Sequence, residues 1–136
     1  MATKLAAGSG DSEKITINLG YVDLGSIDLL VRETVYANRS DFIRTAIRNQ
    51  LEKHQEIARQ VTSRDHLVFG ISHFTRAQLE GVRNSGEMLD IRVLGLASIG
   101  LDVSPDLACA TIRSLKVLGA LHAPAEIKSA LADRIN

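Results

Sequence analysis

The chain has 136 residues, 45% of them hydrophobic, with 16 basic and 16 acidic side chains and a formal charge of zero. That length allows one ordinary domain or two small ones, and the apolar share excludes a wholly disordered protein. One cysteine, Cys109, excludes an intrachain disulfide and fits a reducing cytoplasm, and no apolar run reaches the roughly 18 residues that read as a membrane span.

Residues Met1 to Glu13 are rich in Ala, Gly and Ser and lack an apolar core segment, so 1–13 reads as a flexible arm rather than a signal peptide. The next stretch, Lys14-Ile15-Thr16-Ile17-Asn18-Leu19, alternates strictly, polar at 14, 16 and 18 and apolar at 15, 17 and 19. This predicts a short strand. Its apolar face is too small and its two edges too open for it to fold alone. The same strand of a second copy is the simplest partner. The resulting antiparallel ribbon would present Lys14, Thr16 and Asn18 twice over on its solvent face, a shape that fits the major groove of DNA. Asn18 suits adenine, Lys14 suits guanine, and Thr16 can donate, accept or touch a thymine methyl group. The same three residue types are also ordinary on any solvent-facing strand.

Helical spacing of Leu24, Ile27, Leu30 and Val31 predicts a first helix from about Asp23 to Glu33, with Gly25 inside it suggesting close packing against a partner. Residues 34–39 read as a turn. Ser40 is the expected N-cap of a second helix, with Asp41 complementing the dipole in its first turn. This helix places Phe42, Ile43, Ala46, Ile47 and Leu51 on one face and Arg44, Arg48 and Glu52 around the other. The apolar series continues through Ile57, Ala58 and Val61, which predicts a helical connector over 55–66.

The order strand, helix, turn, helix, with Lys-x-Thr-x-Asn on the strand and Asn38-Arg39-Ser40-Asp41-Phe42-Ile43-Arg44 opening the second helix, resembles the ribbon-helix-helix family of bacterial repressors of the Arc, MetJ and CopG types. The resemblance covers residues 14–54. It implies an obligate intertwined homodimer that inserts its ribbon into the major groove of double-stranded DNA. Carried over by position, Lys14, Thr16 and Asn18 would read bases. Asn38, Arg39 and Ser40 would clamp a phosphate at the helix N-terminus, with Arg44 one turn further on. The segment Gly20 to Ser26 departs from the short polar or proline turn that is more usual there. Charge adds little support. Met1–Arg64 carries nine basic and eight acidic residues, hence +1, and the remainder seven and eight, hence −1, so there is no broad basic field.

Residues 67–136 look internally repetitive. Leu67 to Ile71, Ile91 to Leu96 and Leu115 to Ala120 each read as a strand with a glycine near its end, and Gly70, Gly95 and Gly119 are 25 and 24 residues apart (95 − 70; 119 − 95). Each strand leads to a helix start, at Thr75, at Ser104-Pro105 and at Pro124. The expected fold class is therefore an α+β ribbon-helix-helix unit followed by a small α/β domain of parallel strand-helix repeats. Val68, Val93 and Val117 would share a face with the glycines, which would let helices approach. Phe69, Leu94 and Leu118 would form an apolar stripe on the other face beside Arg92 and Lys116, an expected interface between subunits.

His73 and His122 occupy equivalent positions with Ser98 between them. Two strand spacings, about 10 Å, are too far for one shared metal. A nickel-responsive regulator of the same superfamily joins its DNA-binding unit to a metal domain, yet His54, His66, His73, His122 and Cys109 show no His-x-His or Cys-x-x-Cys spacing. Cys109, among Ala108, Ala110 and Ile112, reads as a packed thiol. No metal, cofactor or catalytic residue is expected, and no enzyme. The Gly8-Ser9-Gly10 sequence lies in the arm without a strand-turn-helix context. The leading expectation is a cytoplasmic, nucleoid-associated repressor whose C-terminal units associate. The alternatives are an antitoxin or effector-binding protein that engages a partner through 67–136, and a DNA-associated scaffold.

Overall fold

A computed structural model describes residues 12–136, and the arm with its Gly8-Ser9-Gly10 lies almost wholly outside the described residues. Within them the chain forms six α-helices and a three-stranded sheet. These are α1 (Tyr21–Arg32), α2 (Arg39–Lys53), α3 (Gln55–Asp65), β1 (Val68–Phe74), α4 (Arg76–Ser85), β2 (Leu89–Ile99), α5 (Pro105–Thr111), β3 (Ile112–His122) and α6 (Ala125–Ala130), closed by a 3-10 turn at Ala132–Arg134. They divide into two compact units, Ser12–Val61 and Thr62–Asn136.

In the first unit α1 starts two residues earlier than its apolar spacing predicts. Gly20 is the N-cap and makes no side-chain cap bond. The cap of α2 is Asn38, not Ser40: the Asn38 carboxamide oxygen accepts from the Asp41 N–H at 2.8 Å. The carboxamide reaches the third helical N–H from a fully extended backbone (φ −164°, ψ 178°), which leaves Ser40 inside the first turn. The Asp41 carboxylate reaches back to the Ala37 N–H at 2.9 Å, closing the turn from the other side. Helix α2 stops at Lys53, and His54 (φ −106°, ψ 15°) separates it from α3, so the predicted connector is a second helix rather than an extension of the first. A Cβ added to Gly25 would meet nothing within 4 Å, so within one chain no close approach explains that glycine.

The second unit holds the core. Its sheet has the order β1-β2-β3, both pairs parallel, and the register aligns Gly70 with Gly95 and Gly95 with Gly119. Leu79 from α4, Leu107 and Ala108 from α5, and Ile127 from α6 pack on Ile91, Val93, Ala97, Ile99 and Leu115, leaving all of them nearly inaccessible. Thr75 starts α4 with a reciprocal capping box to Gln78, and Ser104 caps α5 with Pro105 at its first position, as the sequence predicts. Arg134 donates to the carbonyls of Cys109 and Ile112 at 2.6 and 2.8 Å, satisfying acceptors at the C-terminal end of α5. The Cys109 thiol is half-buried and donates weakly to the Ala130 carbonyl at 3.6 Å.

The glycines do not make room for helices. All three lie in the left-handed region, with φ of 107°, 140° and 125° at Gly70, Gly95 and Gly119. A Cβ on Gly95 would stand 2.2 Å from the Gly70 carbonyl oxygen, and one on Gly119 would stand 2.0 Å from that of Gly95. The close neighbour is the adjacent strand's backbone, so the side-chain positions lie along the sheet rather than on either face. The valine row is also uneven. Val93 is 2% exposed, whereas Val68 on the edge strand is 57% exposed.

Candidate nucleic-acid interface

The interface predicted from the sequence lies in the first unit. Residues 13–19 are exposed and belong to no strand among the described residues. Ile15, Ile17 and Leu19 are 77%, 63% and 40% exposed. Apolar side chains so exposed carry a solvation penalty that burial against other apolar surface would remove.

The helices behind this segment share the same lack of cover. Within Ser12–Val61, Ile27 is the sole buried apolar residue among those described, and Leu29, Ile47, Leu51 and Ile57 remain exposed. Tyr36 and Phe42 meet edge to face with ring centroids 5.1 Å apart and hold the turn between α1 and α2. A unit with one buried apolar residue has too little core to account for its own order.

The phosphate-binding candidates sit together at the start of α2, and their chemistry is more constrained than their sequence implies. Arg39 makes a bidentate pair with Asp28 of α1, at 2.7 and 2.8 Å. The hydrogen bond from Arg39, with its charge, holds the Asp28 carboxyl below its ordinary value, and the Arg39 guanidinium is raised in return. Arg39 is therefore a brace between α1 and α2. The N–H groups of Arg39 and Ser40 stand at the first two helical positions and have no intrahelical acceptor by geometry. They provide a donor pair at the positive end of the helix dipole. Lys14, Arg44 and Arg48 enter no ion pair among the described residues and remain available cations. The Arg39–Asp28 pair went unread in the sequence because its partners lie 11 residues apart on different helices.

The chain matches the ribbon-helix-helix transcriptional regulator family over residues 10–128. It belongs to that family. The match includes most of the C-terminal unit as well as the residues 14–54 that carry the sequence resemblance. Ribbon-helix-helix proteins bind DNA, generally as dimers. No curated protein and no solved structure matches the chain.

In the second unit, the face of the sheet away from the helices carries regular rows. The register aligns Phe69, Leu94 and Leu118, then Ile71, Leu96 and Ala120, then His73, Ser98 and His122. Phe69, Ile71 and Leu118 are 65%, 64% and 49% exposed. At one end of this face Lys116 bonds the Asp65 carboxylate at 2.8 Å and Arg92 bonds the Asp65 carbonyl at 3.2 Å, tying the end of α3 to the sheet. At the other, the His73 imidazole and the Ser98 hydroxyl share a hydrogen bond. No group of three potential metal ligands exists among the described residues, and no helix there is long and apolar enough to cross a membrane.

Proposed function

We propose that this regulator pairs residues 14–19 of two copies into an antiparallel ribbon and reads operator DNA with Lys14, Thr16 and Asn18 in the major groove. The N-terminus of α2 positions the complex on the phosphate backbone through the N–H groups of Arg39 and Ser40, with Asn38 shaping the turn and Arg44 adding charge. The observation that carries this reading is the exposed alternating segment in front of a helical unit with one buried apolar residue. Pairing two copies covers Ile15, Ile17 and Leu19 and supplies the missing core in one step. In this reading residues 14–54 contact DNA, 55–66 connect, and 67–136 associate copies through the face bearing Phe69, Leu94 and Leu118. The regulator then acts as a repressor whose dimers occupy a short palindrome or tandem sites cooperatively, in the compartment that holds the chromosome. The twelve-residue core of the second unit favours association of folded domains over an antitoxin tail that folds on its partner.

The test is binding to DNA from upstream of the protein's own gene across a salt series, beside a Thr16→Ala/Asn18→Ala variant. Sequence-selective binding that the variant loses while remaining dimeric is the expected result. Equal binding by the variant, or none by the native protein at any salt, would overturn the ribbon as base reader.

A further inference from the structure

Among the described residues, the three-stranded sheet ends in two open edges that match each other. On its outer side β1 has no strand beside it among the described residues, and β3 is covered there only at Leu115. That cover comes from the C-terminal Ile135 and Asn136, whose N–H reaches the Leu115 carbonyl at 2.9 Å. Among the described residues nothing pairs with the outer side of 117–122 of β3, a stretch as long as 68–73 of β1. Open parallel edges of this length are templates for another strand.

Each edge also shows what its neighbour should be. Gly95 and Gly119 have left-handed backbones, and the carbonyl of the preceding strand's glycine occupies the place of the missing side chain. Gly70 has the same left-handed backbone, with φ 107°, but nothing among the described residues lies within 4 Å of its side-chain position. That vacant position is where the carbonyl of one more glycine strand would stand. Gly119, at the opposite edge, carries such a carbonyl. Burial points the same way. Val68 is 57% exposed while its register partner Val93 is 2% exposed, because the helices that pack on the sheet, α4, α5 and α6, all follow β1. A preceding strand followed by its own helix would cover Val68 as Val93 is covered.

We propose that the C-terminal unit joins copies head to tail, the outer edge of β3 in one copy pairing in parallel with the outer edge of β1 in the next, with Gly119 opposite Gly70. The register that aligns Gly70, Gly95 and Gly119 within the chain then continues between copies and sets Val117 beside Val68, Leu118 beside Phe69 and His122 beside His73. Helix α6 of the first copy lies over Val68 of the second. The apolar row of Phe69, Leu94 and Leu118 runs on across the boundary without interruption. Charge does not oppose the contact, since Asp65–Asn136 carries seven basic and eight acidic residues. Because the two edges are different surfaces, the contact is heterologous and builds a ring or a filament rather than a closed pair. This takes up the association of 67–136 proposed above but places the contact at the strand edges, with the Phe69, Leu94 and Leu118 row continuing across it, and it does not depend on DNA contact. Loss of operator binding with assembly retained would leave it standing.

The experiment is sedimentation velocity of the full chain over a wide concentration range, without DNA. The mass is expected to rise with concentration past that of two 14.8 kDa chains. Val68→Lys places a charge where the next copy's helix would lie, at a position that is exposed in the single chain. It is expected to stop growth at the pair without lowering the thermal midpoint. Gly70→Ala is expected to do the same by filling the carbonyl's place. Should its left-handed backbone prevent folding, Val68→Lys and a cross-link decide. For the cross-link, Phe69→Cys/Leu118→Cys in a Cys109→Ala background places two thiols about 10 Å apart within one chain, two strand spacings, beyond the reach of a disulfide. Oxidation is then expected to give a ladder of covalent multimers, and the off-register Phe69→Cys/Ala120→Cys pair far fewer. A mass fixed at the pair at all concentrations would overturn the proposal. So would growth of Val68→Lys equal to native, or growth abolished by Leu118→Ser with Val68→Lys unaffected, which would assign the contact to the sheet face instead.

Discussion

Asp28 and Arg39 lock two helices together with a fork-to-fork pair, and the pair gives the first unit a defined response to acid. The Asp28 carboxyl is lowered by its bond from Arg39, and the Asp65 carboxyl by its bonds from Lys116 first and Arg64 second. A carboxyl lowered in the folded state stabilises the fold above the ordinary value of 3.8. That stabilisation is lost progressively as pH falls from there through the lowered value. Thermal midpoints are expected to drop on acidification in this range, and Asp28→Asn to lower the midpoint at neutral pH while flattening the acid response of the first unit. An unchanged acid profile in the variant would show that the pair contributes nothing to folding. Asn38→Ala removes the cap of α2 and is expected to cost about 1 kcal/mol, read as a shift in the denaturation midpoint of the same unit.

At the level of elements, the capped starts of α4 and α5 and the three glycine-bearing strands were legible because each rests on local chemistry. A Thr or Ser oxygen within reach of the third helical N–H is a sequence-near event, and so is the alternation that fills one sheet face. The cap of α2 was misread at Ser40 because both Asn38 and Ser40 are good caps, and only the backbone path decides between them. The role of the glycines was misread for a different reason. Spacing shows that they recur, but not that each carbonyl points into the next strand's glycine, a relation that exists only once the register is set. Of the site, the residue types facing solvent at 14, 16 and 18 were legible, and the engagement of Arg39 with Asp28 was not. Within the core, Leu79 is wholly buried against the sheet, so Leu79→Ala is expected to cost about 2–5 kcal/mol. Gly95→Ala is expected to be worse tolerated, since its methyl group would meet the Gly70 carbonyl oxygen at 2.2 Å on a left-handed backbone. Equilibrium denaturation followed by circular dichroism ranks the two.

Across the whole molecule, the two units distribute stability unequally. The second has a contiguous core and capped helices, while the first exposes most of the apolar residues that would make one. The first unit is therefore expected to unfold at a temperature that depends on protein concentration, and the second at one that does not depend on ribbon pairing. Ile17→Asp, combined with Val68→Lys to silence sheet-edge contacts, should sediment as a single chain and retain the unfolding of the second unit. Persistence of a pair in that double variant would mean that residues 14–19 are not what joins two copies.

The left-handed glycines also have a consequence for how the chain reaches its fold. Parallel strands joined by helices are slow to find their alignment, and a slip of one residue normally costs little at the backbone. Here each kink nests in the next. A strand displaced by one position would set the bend at Gly95 against Phe69 or Ile71, and would also turn its apolar set away from the helices. The column of Gly70, Gly95 and Gly119 thus acts as an alignment key, rejecting misregistered sheets before their side chains have packed.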